Sequence, residues 1–105
     1  MVTVYVDNFR RPARVGRISG RWSHLTADTE QELHDFAAKL GLRRDWFQTC
    51  KRPCHSFLPC VHWHYDVVDA KREEAIRLGA KGIDIREFGA ITSGRRQALL
   101  AGEGQ

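Results

Sequence analysis

Apolar and polar side chains alternate in VTVYV at residues 2–6. A period of two in β-branched and aromatic residues predicts a strand ending at Asp7. From residue 28 the period changes: DTEQELHDFAAKLG carries Leu33, Phe36, Ala37 and Leu40 along one stripe, with Thr29 and Glu32 at capping-box spacing and Gly41 at the stop. That pattern predicts an amphipathic helix. Between the two, NFRRPARVGRISGRW contains Pro12, Gly16 and a Ser19-Gly20 turn signal, which predicts a loop or loose ribbon leading into a short extended piece at Ser23 to Thr26.

Further along, RRDWFQ suits one more helical turn, and Thr49 to Pro59, with two prolines and two cysteines, reads as a loop. VHWHY then predicts a second strand, DAKREEAIRLG a second helix capped by Asp69 and ended by Gly79, GIDI a third strand and ITSGRRQALL a short last helix. A strand, helix, strand unit in one sheet is normally parallel with a right-handed crossover. The expected fold is therefore α/β: a small single domain over residues 1–101, with a short, mainly parallel sheet of three to four strands and two to three helices, and a disordered tail at 102–105.

Composition narrows the class. At 42% hydrophobic and 29% charged in 105 residues the chain reads as one ordinary globular domain, and it lacks the roughly 18 to 20 apolar residues that span a bilayer. No membrane partner is expected. The N-terminus lacks a secretion-signal pattern, and three cysteines, an odd number, suit a reducing compartment, so a cytoplasmic location is expected. The net charge of +4 is concentrated: Arg10, Arg11, Arg14, Arg17 and Arg21 lie between Asn8 and Trp22 with no acidic residue among them. Bracketed by Phe9 and Trp22, this run suits phosphate contact and base stacking.

The densest chemistry is CVHWHYD at 60–66. In a strand Cys60, His62, His64 and Asp66 share one face, while Val61, Trp63 and Tyr65 line the other. Cys50, Cys54, His55, Cys60, His24 or His34 could join His62 and His64 around zinc, but CxxxC followed by CxHxH matches neither paired CxxC nor helical HxxxH spacing. No metal or other cofactor is expected from that pattern, and a zinc-stabilised form is the alternative. On the second helix, Lys71 and Arg72 fall within about 60 degrees of the inward Ala75, where cations need an anionic partner: an internal carboxylate or a ligand phosphate.

YVDNFR, WSHLTADT, ELHDFAAKLGL, WFQ, HYDV, the following KR, and IREFG, read in that order, resemble a family of short bacterial and phage proteins catalogued only as a domain of unknown function. The resemblance runs from about Val4 to Gly89, and it implies no activity. It does place His24, His34, His64 and Asp66 in shared blocks, whereas TCKRPCHSFLPCVH looks unlike them.

The resulting expectation is a rim that gathers Asp7, His24, His64 and Asp66 as catalytic candidates, with Lys71, Arg72, Arg10, Arg11, His34 and Tyr65 binding ligand. The ligand carries phosphate, as a nucleotide or nucleic acid. A histidine acts as general acid or base, and Asp66 or Asp7 orients the imidazole. The alternative is a non-catalytic module that holds nucleic acid or a host protein. P-loop, Rossmann, GxSxG and HExxH motifs are absent from the sequence.

Overall fold

The computed structural model describes residues 3–49 and 60–103. The expected loop beyond Thr49, with Cys50, Cys54 and His55, and the last two residues of the expected tail lie outside the described residues. The chain runs β1 (Val4–Val6), β2 (Arg11–Val15), β3 (Ile18–Ala27), α1 (Glu30–Lys39), a 3-10 turn (Arg44–Trp46), β4 (Tyr65–Val68), α2 (Asp69–Arg77), β5 (Lys81–Gly82) and α3 (Ile85–Glu103).

These strands form one five-stranded mixed sheet, and it is mostly antiparallel. That corrects the expected parallel sheet. β3 pairs antiparallel with β1, β2 and β4, and among the described residues only β1 and β5 pair in parallel. The arginine-rich run is the reason. Of the loop and the ribbon that the run allowed, it forms the ribbon: β2 turns back into β3 at Gly16, whose φ of 61° is the positive angle a two-residue hairpin turn requires. Pro12 is tolerated because β2, exposed along its whole length, pairs within the sheet only with β3.

β3 is the organising strand. Trp22 faces both Arg11 and Val68, and Leu25 faces both Val6 and Tyr65, so β4 runs along one edge of β3 while β1 and β2 share the other.

One face of the sheet carries the core, where Val4, Val6, Leu25, Ala27, Tyr65 and Val67 pack with Leu33, Phe36, Ala37 and Leu40 of the α1 segment and with Ala75 of α2. α1 forms as its pattern predicts: the Thr29 hydroxyl accepts the Glu32 amide at 3.2 Å. At its C-terminus Gly41 (φ 77°) and Leu42 donate to the carbonyls of Ala38 and Ala37 at 3.0 and 2.9 Å, a Schellman ending. α2 begins at Asp69 without a side-chain cap. The expected cap, Asp69, is instead held by Arg10 through bonds of 3.0 and 2.8 Å.

The opposite face is covered by α3, longer than the short last helix the sequence predicts because it begins at Ile85 and continues through Glu103. Arg95 pins it. Its guanidinium donates to the Val61 carbonyl (2.9 Å), the Thr26 hydroxyl (2.7 Å) and the Ala27 carbonyl (2.6 Å), and stacks 3.6 Å over the Trp63 ring. Burial pushes the Arg95 pKa down to about 10, so this cation is held by oriented dipoles and an aromatic face. Among the described residues no helix is long and apolar enough to cross a membrane.

Candidate functional site

The site grows out of a bulge. Val6 faces Leu25 and Arg11 faces Trp22, so residues 7–10, between β1 and β2, are opposed only by Ser23 and His24 on β3. Extra residues break the backbone ladder and leave amides to be satisfied otherwise. Asp7, fully buried, does this: Oδ1 accepts the amides of His24 (2.9 Å) and Phe9 (3.1 Å), and Oδ2 accepts the His24 ring Nδ1–H at 2.6 Å. Ser23 Oγ accepts the amide of Arg10, whose φ of 47° completes the turn.

Directly across the ladder from His24 is Asp66, the second residue of β4. His64 precedes β4 and is joined to Gln48 by a pair of backbone bonds of 2.9 and 3.1 Å. Its ring meets that of His24 edge to face, centroids 4.8 Å apart, and His24 also stacks with Phe9 at 5.3 Å and Phe88 at 4.8 Å. Three side chains, from a loop end and two neighbouring strands, therefore present His24, His64 and Asp66 within 4.8 Å of one another, all partly exposed.

Each has a supporting partner. His64 Nδ1 lies 2.6 Å from the His62 carbonyl and Nε2 lies 3.1 Å from Asp66 Oδ1, while Gln48 Nε2 donates to Asp66 Oδ2 at 2.6 Å. A carbonyl and a carboxylate can only accept, so in this geometry both His64 nitrogens carry protons. Burial by itself lowers the His64 pKa, but the Asp66 bond, the His62 carbonyl and the charges of Asp66 and Asp7 outweigh it and raise it above the ordinary value. Asp66 shifts the other way. Burial favours its neutral form, yet the His64 bond, the charges of His64 and His24 and the Gln48 bond together lower it.

From His24 and Asp66 a groove of about 270 Å³ opens along the β2–β3 ribbon, lined by Phe9, Arg11, Pro12, Ala13, Val15 and Trp22. Trp22 is held by its indole N–H, which donates to the Ala13 carbonyl at 3.0 Å.

The structure thus brings Asp7, His24, His64 and Asp66 together, with Arg11 nearby. It does so by antiparallel register and a bulge, whereas the expected rim belonged to a mainly parallel sheet. The face-sharing expected of CVHWHYD also changes, because the strand begins only at Tyr65 and residues 60–64 form a connection. The remaining candidates go elsewhere. Lys71 donates to the Leu40 carbonyl at 2.6 Å, tying α2 to the end of α1, and pairs with Glu74 at 3.3 Å. Arg72 donates to the Asp7 carbonyl at 2.8 Å and so braces the bulge from behind. Arg10 is paired with Asp69. His34 and Tyr65 meet on the helix-covered face, Nδ1 to Oη at 2.9 Å and beside Phe47. Arg21 pairs with Pro12 next to the Arg11–Trp22 pair and so points to the other side of the ribbon, which divides the arginines between two faces.

Gln48 and Phe88 were not among the candidates, yet one holds Asp66 and the other stacks on His24. Both lie in blocks that carry the resemblance, WFQ and IREFG, and that was the available signal.

Neither the curated proteins nor the solved structures include a match to this chain. A family model described as "Protein of unknown function (DUF4031)" matches residues 4–95, a span that contains Asp7, His24, Gln48, His64, Asp66 and Phe88, and the chain belongs to that family.

Proposed function

We propose that the protein binds a phosphate-bearing ligand, a nucleotide or nucleic acid, in the groove that ends at His24, His64 and Asp66. The single observation that carries this reading is the combination of chemistry in one groove: Trp22 and Phe9 offer ring faces, Arg11 a cation, and His24 and Asp66 line it beside His64. A base stacks on an aromatic face and a phosphate pairs with a guanidinium, while a protonated imidazole donates to a phosphoryl oxygen. The volume of about 270 Å³ lies just under the roughly 300 Å³ at which small-molecule pockets begin, which suits one nucleotide unit. As a hydrolase, the site would have water attack phosphorus and lose its proton to the Asp66 carboxylate, while His64 gives its Nε2 proton to the departing oxygen and the His62 carbonyl orients the ring through Nδ1. Cytoplasmic residence, in a bacterial or phage setting, belongs to the same reading.

Calorimetric titration with AMP, inorganic phosphate and a short single-stranded oligonucleotide tests the proposal. Arg11→Ala and Trp22→Ala should each weaken AMP by about tenfold, in keeping with roughly 1 to 3 kcal/mol for stacking. Unchanged affinity in both variants, or no binding by the wild type, would sink it. A second reading, a host-protein surface, is favoured by Val15 and Ile18, which face each other on the ribbon at 57% and 51% exposure. It predicts that Ile18→Ser, outside the groove lining, changes partner capture and leaves AMP affinity unaltered.

A further inference from the structure

We infer that His24, His64 and Asp66 form a binding site for one divalent transition-metal ion, with Asp7, the His62 carbonyl and Gln48 holding those ligands in place.

Four observations carry the inference. First, donor type: two imidazoles and one carboxylate suit zinc, iron(II) or manganese, and a two-histidine, one-carboxylate set leaves coordination positions open for a ligand. Magnesium and calcium prefer all-oxygen sites. Second, the supporting shell: ligating histidines usually donate their other ring N–H to a carboxylate or a backbone carbonyl. His24 Nδ1 does so to Asp7 at 2.6 Å and His64 Nδ1 to the His62 carbonyl at 2.6 Å, which leaves Nε2 of each ring for the ion. Asp66 is held through its other oxygen by Gln48 at 2.6 Å.

Third, distance: the three donor atoms lie within 4.8 Å of one another. Ligand atoms at about 2.0 to 2.1 Å from a zinc ion stand roughly 3.3 Å apart, so closure by up to about 1.5 Å is needed. His64 Nε2 and Asp66 Oδ1, at 3.1 Å, are already at that spacing. Fourth, setting: Phe9 and Phe88 flank His24, giving the apolar collar that limits water around a metal, while the groove gives the open positions an exit.

Entry of the ion releases the proton between His64 Nε2 and Asp66 to solvent. Asp7 is a positioning residue, because its oxygens are fully used by two amides and the His24 ring. The link to phosphate rests on the function proposed above, with the ion taking the place of the His64 Nε2 proton: it would meet a phosphoryl oxygen at the end of the groove, beside Arg11.

The test uses the full chain, purified without a histidine tag and stripped with a chelator. Calorimetry with Zn²⁺ and absorption with Co²⁺ should show one equivalent bound, with no thiolate charge-transfer band and with Mg²⁺ unable to compete. Asp66→Asn and His64→Gln should each weaken Zn²⁺ by more than tenfold, and Asp7→Asn by about 10- to 100-fold. Replacing Cys50, Cys54 and Cys60 together by serine should leave the affinity unchanged, and circular dichroism checks the fold of every variant. No uptake by the wild type overturns the inference. So does uptake that survives Asp66→Asn and His64→Gln but is lost in the cysteine variant. If Zn²⁺ binds as stated and AMP affinity rises with it, both proposals are supported. If Zn²⁺ binds and AMP affinity is unchanged, the metal site stands and the phosphate link falls.

Discussion

His34 and His64 sit on opposite faces of the same sheet, each against a residue of the same few positions of chain, and their chemistry diverges. His34 lies on the α1 side and shares a hydrogen bond with the phenol of Tyr65, which is itself buried. Burial and the nearby Arg44 charge lower its pKa, so it stays neutral. His64, one position before Tyr65, is partly buried, but its partners are a carboxylate and a carbonyl, and its pKa is raised. Desolvation works against charge at both sites. The partner decides which wins. Adjacent residues on a strand point to opposite faces, so a single dipeptide, Tyr65-Asp66, gives one face a packing aromatic and the other an ion.

The largest expected effect breaks the site face. Asp7→Ala removes the acceptor of two amides and a ring nitrogen at a fully buried position, and it should cost about 3 to 5 kcal/mol in urea denaturation. Asp7→Asn, which keeps one acceptor oxygen, should cost distinctly less. On the packed face Leu33→Ala, also fully buried, should cost about 2 to 5 kcal/mol by leaving a cavity, with ligand and metal affinity unchanged. Loss of binding in folded Leu33→Ala would show that the two faces are not independent.

Tyr65→Phe sharpens the comparison at smaller scale. It removes one hydroxyl, leaves the ring in the core and should cost about 0.5 to 1.5 kcal/mol, with no effect on the groove. His64→Gln should be milder still in stability, since a partly exposed imidazole adds little core, while it removes binding. A melting temperature lowered more by His64→Gln than by Tyr65→Phe would contradict this division.

The smallest effect is a pH slope. His34 has a folded-state pKa below the ordinary 6.5, so the unfolded chain binds its proton first. Its stabilising contribution is complete above 6.5 and is lost as pH falls through the depressed value. His34→Gln should therefore flatten the acid side of a melting-temperature profile. A steeper slope in the variant would reverse the assignment.

The sequence by itself determined α1 in full, down to the Thr29 cap and the Gly41 stop, because capping and amphipathic periodicity are local and act within a few residues. It also singled out the members of the site, Asp7, His24, His64 and Asp66, by side-chain type and by the blocks they occupy. Only the tertiary structure decided how they meet. Register between β3 and β4 puts His24 opposite Asp66, and a bulge between β1 and β2 turns Asp7 inward, and both depend on pairings distant in sequence. Lys71 and Arg72 show the same boundary: periodicity places them inward, but the groups that receive them, the carbonyls of Leu40 and Asp7, lie on other elements. Strand direction was settled in the same way, since the arginine-rich run has little apolar alternation of its own and becomes a strand through backbone pairing with β3.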